Sequence, residues 1–401
     1  MKQDAELWDL VIVGGGMTGA LLALALRSLT PAKIALVEAQ TVSSQHPGFD
    51  ARSIALSRGS VEQLKRWHLW SNLAPNATAI ADIHVSDRGH FGMTHLAAAQ
   101  FGCDSFGHVL GLEDAGRQLQ QALINAEIDF FCPDHVTALI SHSDYQEVTL
   151  DSGRRLRGRL LVAADGAQSF VRQSLKLESE HIDFNQSAVI ANVILDRPHA
   201  GRAFERFTEH GPLALLPMAQ GDGKCMSLVW AMKADEQARY LALSDGDFLH
   251  ALQGAFGYRA GKLTKVSQRH GYPLIMSVMP RPIYHRCVFV GNAAQTLHPI
   301  AGQGFNLGLR DIATLVQVLT PVLNRGQDAG ASEVTHDYLA HRRQDRQATL
   351  TAIESLVRGF SNQAFPLVLG RNLGLRLLSW CPPLKRPIVS AASGWPLRRL
   401  S

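Results

Sequence analysis

Cysteine is sparse in this 401-residue chain. Cys103, Cys132, Cys225, Cys287 and Cys381 stand apart, with no C-x-x-C pair. That spacing argues against a zinc site and a disulfide framework, and it suits a reducing cytoplasm. Long uncharged runs are scarce too. Leu10 to Leu26 imitates a signal peptide or membrane span, but three consecutive glycines lie at its centre and Asp4, Glu6 and Asp9 precede it, which argues against export. No other stretch is long enough to cross a bilayer. Tandem repeats and low-complexity tracts are missing. A chain with 46% hydrophobic and 18% charged residues is globular rather than disordered, and its length suits about two domains. Neither a Ser-His-Asp set nor a metal-ligand spacing appears; His298 beside Pro299 reads as a loop residue. Acid is lacking at one end only. Ser355 to Ser401 holds seven Lys/Arg and no Asp or Glu, while the remaining chain is −3 (32 Lys/Arg against 35 Asp/Glu).

What is present begins at Val11. Leu10 to Val13 is a short apolar run that predicts a buried parallel strand. Gly14, Gly16 and Gly19 follow in the spacing G-x-G-x-x-G, and Ala20 to Arg27 predicts a helix. The first glycine turns the chain, the second lets a pyrophosphate approach the backbone, and the third lets helix and sheet close up. Read alone, the pattern is an ordinary glycine turn. Here Ile34 to Val37 predicts a second strand at βαβ distance, with Glu38 at its end, 19 residues after Gly19. A carboxylate there accepts from an adenosine ribose. Its acidity suits FAD or NAD rather than NADP.

Gln45 to Ser57 reads as a polar loop running into a helix, with Arg52 placed to return to the phosphates. Asp82 to Arg88 predicts a strand and hairpin, and Glu113 to Ile124 an amphipathic helix carrying Arg117. Asp134 to Ile140, Gln146 to Leu150 and Arg157 to Ala163 predict strands, the last ending at Asp165-Gly166. From Ile182 to Met279 the pattern changes to short strands separated by turns. This predicts an antiparallel sheet inserted as a second domain. The chain then returns to the first domain. Cys287 to Val290 predicts a buried strand, Gly291 to Gly308 a glycine-rich loop, and Leu309 to Leu319 a helix. A helix starting near Asn306 presents unpaired N–H groups to negative charge. Gly326 to Gly330 reads as an exposed loop.

Three separated motifs therefore coincide: Gly14 to Gly19 with Glu38, Asp165-Gly166 with Ser169 and Arg172, and Gly291 to Gly308. Together they resemble the p-hydroxybenzoate hydroxylase-like flavoprotein monooxygenases, through nearly the whole chain up to about residue 350. Within that family, His46 to Asp50, Arg52 to Leu56, Val85 to Gly89, Gly201 to Thr208, His210 to Leu213 and Gly291 to Ala294 are similar to the ubiquinone-biosynthesis hydroxylases.

The resemblance implies an α/β architecture. A Rossmann-like FAD-binding domain (1–181 and 280–350) would carry an inserted, mainly antiparallel substrate domain (182–279) and a basic, helical C-terminal segment (351–401). Gly14, Gly16, Gly19 and Glu38 would hold the ADP half of FAD. Arg52 and Arg117 would meet the phosphates or ribityl chain, Val136 the adenine, and Asp165 and Gly166 the middle of the cofactor. Asn292 would serve the ribityl chain, and Pro299, Gly302, Gln303, Gly304 and Asn306 the isoalloxazine. Many family members carry Gly-Asp where this chain has Gly291-Asn292; the amide keeps the acceptor oxygen and loses the charge.

The implied reaction is hydroxylation of a 2-polyprenyl-6-methoxyphenol ring with O2 and NAD(P)H, through a flavin C4a-hydroperoxide. The protein supplies orientation and a dry pocket. Expected partners are the polyprenylated phenol and O2, not nucleic acid. The C-terminal segment is a candidate contact with the inner face of the cytoplasmic membrane or with biosynthetic proteins. Rival readings are an NAD-dependent dehydrogenase, a non-catalytic flavoprotein subunit, and a sister hydroxylase acting at another ring position.

Overall fold

Leu7–Val13 is the hub of the first sheet in the computed structural model, which describes residues 6–41, 52–89, 92–209, 211–220, 222–299 and 302–360. This strand pairs in parallel with Ile34–Val37 on one side and Arg155–Ala163 on the other. Asp129–Phe131 and Cys287–Phe289 extend the parallel run outward. Alternate residues of these strands enter two separate cores. Leu10, Ile12, Ile34, Leu36, Leu160 and Val162 pack against helices Met17–Leu29, Leu112–Asn125 and Gln303–Asn324. Val11, Val13, Ala35, Val37, Leu161 and Ala163 pack on the opposite face. A sheet dry on both faces needs apolar residues at consecutive positions, and Leu10 to Val13 supplies them.

The second sheet has nine strands. Glu180–Leu195, much longer than the short Val189 to Ile194 strand read from sequence, lies between Cys225–Lys233 and His270–Val278, antiparallel to both. Gly211–Pro217 and Arg202–Thr208 continue the sheet. Two helices, Gln237–Ala242 and Asp245–Phe256, were not foreseen in this region. The second buries Phe248, Leu252 and Phe256 against Phe204, Leu213, Leu228 and Trp230.

Three sequence readings change. Ser53–Ser57 is a strand, antiparallel to Gly107–Gly111, rather than loop. The Asp82–Asp87 and Met93–Ala97 hairpin joins the second sheet, with Asp82–Asp87 parallel to Arg202–Thr208, so the second sheet draws on residues well before 182. Hydrophobic alternation fixes which face of a strand is dry but not which sheet it joins, hence the misplacement. The helix Ser332–Phe360 runs across the expected boundary at 350, and residues 361–401 of the basic segment lie outside the described residues.

A buried polar knot ties the Gln303–Asn324 and Ser332–Phe360 helices to each other, to the Gly291 turn after the first sheet and to the edge strand Gln295–Thr296 of the second. Asp311 is 1% exposed and accepts from Arg342 Nε at 2.9 Å, from Gln295 Nε2 at 2.5 Å and from the Gly291 amide at 3.3 Å. Arg346 donates from Nε to Gln295 at 2.7 Å and from Nη2 to the Met279 carbonyl at 2.7 Å. Burial opposes the Arg342 charge, but Asp311, Tyr338 and Asp345 together outweigh it and hold the guanidinium protonated. Removing one partner of such a pair costs about 3–5 kcal/mol, because the other charge stays buried alone. Arg342→Met should therefore lower the urea unfolding midpoint sharply, and adding Asp311→Asn should recover part of the loss. A single variant as stable as the native protein would contradict this account.

Candidate functional site

The turn after Leu7–Val13 is built so that two of its glycines are sterically required and one is left open. Gly14 has φ +100°, and a Cβ there would lie 2.4 Å from the Ala164 carbonyl oxygen. A Cβ on Gly19 would lie 1.8 Å from the Gly14 oxygen. A Cβ on Gly16 would meet nothing within 4 Å, so close packing of this protein does not demand glycine at that position. Gly16 caps the Met17–Leu29 helix without a side-chain hydrogen bond. The helix therefore offers backbone N–H groups and its positive dipole end to an anion. Glu38 is buried at the end of its strand and accepts from Gly15 N at 2.6 Å and Gln40 N at 2.9 Å.

A groove opens beside this turn, lined by Gly15, Glu38, Gln40, Gly116, Gln120 and Cys132. Burial, and then the Glu38 charge, raise the Cys132 thiol to about 11, so it stays protonated at neutral pH. The Leu112–Asn125 helix meets the groove with Gly116 and Gln120. Arg117 is held by Glu113 at 3.2 Å and by Asp114 on its own helix, and its side chain is mostly exposed. Both acids lie at the i,i+4 and i,i+3 spacings that favour such pairs on a helix surface. Val136 is buried in the core with Val11, Val13 and Val37.

The second and third motifs converge on the same turn. Ala164 and the Asp165 backbone abut Gly14. Asp165 Oδ2 accepts from Val171 N at 3.1 Å, whereas Oδ1 is buried without a hydrogen-bond partner. Desolvation raises the Asp165 pKa, opposed by the Ser169 hydroxyl. A buried orphan acceptor next to a phosphate-binding turn is what a cofactor hydroxyl would satisfy. Gly166 has φ +81° and turns the chain beyond it. Arg172, quoted in the motif but given no role from sequence, donates to Ala293 O at 2.9 Å and Ala167 O at 2.5 Å, tying the second motif to the third. Gly291 has φ +58°, and a Cβ there would lie 2.8 Å from Thr18 Oγ1. Asn292 follows it on an exposed turn.

The helix after the third motif starts at Gln303, one turn earlier than near Asn306, with Gly302 at φ +60° as its cap. Gly304 faces open space, like Gly16. Asn306 is buried, and its amide is used inside the protein. Oδ1 accepts from Ser57 N at 2.8 Å and Ser60 Oγ at 2.7 Å, and Nδ2 donates to Ala55 O and Gly302 O, each at 2.8 Å. The Asn306 side chain positions the Ser53–Ser57 strand against the helix start. Arg52, just before that strand, lies 5.1 Å from the Tyr272 ring centroid on the second sheet. Pro299 is half-buried beside His298. His298 is a loop residue, as read from sequence, but a buried one (1% exposed), and its Nε2 lies 3.0 Å from Gln186 Oε1.

The cradle at Gly16, the uncapped helix start, the orphan Asp165 oxygen and the open Gly304 together fit an extended dinucleotide. Residues 8–352 match the FAD binding domain family model, and the protein belongs to that family of FAD-dependent monooxygenases. FAD is its cofactor, and NAD(P)H is the reductant general to the family. The chain is 34% identical to the ubiquinone hydroxylase UbiL of Rhodospirillum rubrum, covering 96% of this chain and 89% of that one. It is 30% identical to the 3-demethoxyubiquinol 3-hydroxylase of Escherichia coli, covering 96% and 98%. The fold is similar to that of PqsL, a probable FAD-dependent monooxygenase from Pseudomonas aeruginosa (TM-score 0.78, 19% identity, 92% and 99% covered). No helix among the described residues is long and apolar enough to cross a membrane.

Two outcomes follow. Gly16→Val should leave the apoprotein's melting temperature within a few degrees of native while abolishing FAD retention, whereas Gly19→Ala should prevent folding. Retention of FAD by Gly16→Val, measured by flavin released on denaturation, would count against the cradle. The second outcome concerns acid. Burial lowers the His298 pKa from 6.5 to about 4, so the unfolded chain binds the proton more readily. The stability contributed by neutral His298 is full above pH 6.5 and is lost as pH falls towards 4, by about 3 kcal/mol at most. His298→Gln should flatten that part of the stability–pH curve, and an unchanged slope would show that His298 is not its source.

Proposed function

We propose that the protein hydroxylates the ring of a 2-polyprenyl-6-methoxyphenol in ubiquinone biosynthesis. The observation that carries this reading is the meeting of three cofactor motifs at one turn, in a chain whose relatives over nearly their full length are named as ubiquinone-pathway hydroxylases. Bound FAD supplies the redox chemistry, taking electrons from NAD(P)H and activating O2 for transfer to an electron-rich ring.

The chain's own residues do the rest. Gly14, Gly16 and Gly19 admit the diphosphate, and Glu38 accepts from the adenosine ribose. Asp165 Oδ1 and the Asn292 amide serve hydroxyls of the ribityl chain. Backbone N–H groups at Gln303 and Gly304 stabilise negative charge on the reduced ring system. The apolar face of the second sheet excludes water from the reacting ring.

A sister activity at another ring position is the second reading, favoured by the Escherichia coli relative, which is named for hydroxylation at position 3. Two measurements separate them. Purified protein given a short-chain 2-polyprenyl-6-methoxyphenol, NAD(P)H and labelled O2 should place one label in the ring. Deletion of the gene should accumulate the phenol that lacks this hydroxyl. Label arriving from water would exclude the reaction, and accumulation of a later methoxyquinone intermediate would transfer the assignment to the sister step.

A further inference from the structure

The third motif is backed by more positive charge than the protein around it balances. Arg172 donates to the Ala293 carbonyl at 2.9 Å and to the Ala167 carbonyl at 2.5 Å. Arg346 donates to the Ala294 carbonyl at 3.4 Å, to the Met279 carbonyl at 2.7 Å and to Gln295 Oε1 at 2.7 Å. Both side chains are buried. All of these acceptors are neutral, and neither guanidinium forms an ion pair among the described residues. A neutral amide could donate to the same carbonyls, so hydrogen bonding alone does not call for a charge at either position.

Two more guanidiniums stand in the same knot. Arg342 pairs with Asp311 at 2.8 Å and also with Asp345, and Arg310 pairs with Asp345 at 2.5 Å. Arg172, Arg310, Arg342 and Arg346 are thus set against two paired carboxylates. Asp165 is the remaining carboxyl at these motifs. Burial raises its pKa, and even when ionised it offsets a single charge. At least one positive charge is left over, and a buried charge without a counterion is costly.

This surplus lies where the first and third motifs meet. The Gly291 amide donates to Asp311 at 3.3 Å, and a Cβ on Gly291 would lie 2.8 Å from Thr18 Oγ1. Thr18 is in the first turn of Met17–Leu29, the helix whose start is open to an anion. Asp165, in the same motif as Arg172, abuts Gly14 through its backbone. The guanidiniums therefore back the loop that borders the phosphate-binding turn.

We propose that Arg346, together with Arg172, is a positioning residue for the cofactor's diphosphate, acting from behind the Gly291 to Gln295 loop with buried positive charge that the diphosphate balances. In the low dielectric of the interior this attraction reaches further than it would in water. Binding a diphosphate relieves a cost built into the fold. A nucleoside without phosphates gains nothing from it. The surplus charge thereby selects a dinucleotide over its uncharged parts.

The test displaces FAD from the FAD-loaded protein with two probes, ADP and adenosine, and reads the flavin set free. The quantity compared is the adenosine concentration that displaces half the FAD, divided by the ADP concentration that does so. Changes in FAD affinity, and any loosening of the adenosine pocket, affect both probes and cancel in this ratio. Arg346→Gln keeps a donor for the carbonyls and loses the charge. It should lower the ratio about tenfold, the size expected of one charge acting over roughly 10 Å of protein. Arg346→Lys keeps the charge and loses the planar fork, and should stay within about threefold of native. Asp345→Asn, at a partly exposed position, enlarges the surplus. It should raise the ratio about threefold even as it lowers the melting temperature. An unchanged ratio in Arg346→Gln, or an equal fall in Arg346→Lys, overturns the proposal and leaves Arg346 a structural residue. If Arg346→Gln does not fold, Asp345→Asn decides: a raised ratio sustains the proposal, and a ratio at or below native overturns it.

Discussion

The pairing of Asp311 with Arg342 is the constraint on which the cofactor end of the molecule depends. One carboxylate, sealed from water, takes hydrogen bonds from a guanidinium on the last helix, from Gln295 in the second sheet's edge strand and from the Gly291 amide of the third motif. Buried ions of this kind are weak sources of net stability, because desolvation consumes most of the attraction. Their value here is geometric: the carboxylate takes donors from three separate segments and so fixes their relative arrangement. That arrangement sets Gly291 against Thr18 and Gly308 against Gly291, and so fixes the third motif beside the first.

Much of the first sheet was legible because its signals are local. Four consecutive apolar residues, three glycines at fixed spacing and an acid at a strand end each report a neighbour a few residues away. In the structure Glu38 at the strand end accepts from Gly15 N in the glycine turn. Asp311, Arg342 and Arg346 were not legible. A charged residue on an amphipathic helix looks the same from sequence whether it faces water or a buried partner, and the partners here lie 31 and 51 residues away. Arg117 pairs with two acids on its own helix, a contact that the i,i+3 and i,i+4 spacing carries in the sequence itself. The hydrogen bonds of Asn306 were equally silent in the sequence: a side chain in a cofactor motif can serve the motif by holding its backbone.

Glycine separates the two kinds of position clearly. At Gly14, Gly19 and Gly291 the protein itself occupies the space a side chain would need. At Gly16 and Gly304 it does not, although both sit in turns that look equally constrained in sequence. A site can therefore be outlined by where small residues persist without a steric reason supplied by the protein around them.

The hairpin Asp82–Asp87 and Met93–Ala97 crosses from the first half of the chain into the second sheet and pairs with Arg202–Thr208. The two lobes are thereby stitched together rather than strung in series. A fragment beginning at residue 182 would expose the edge of Arg202–Thr208 that the hairpin now covers, an open template for intermolecular strand pairing. The substrate lobe is accordingly not a transferable cassette: any exchange of this region between related proteins has to carry the distant hairpin with it.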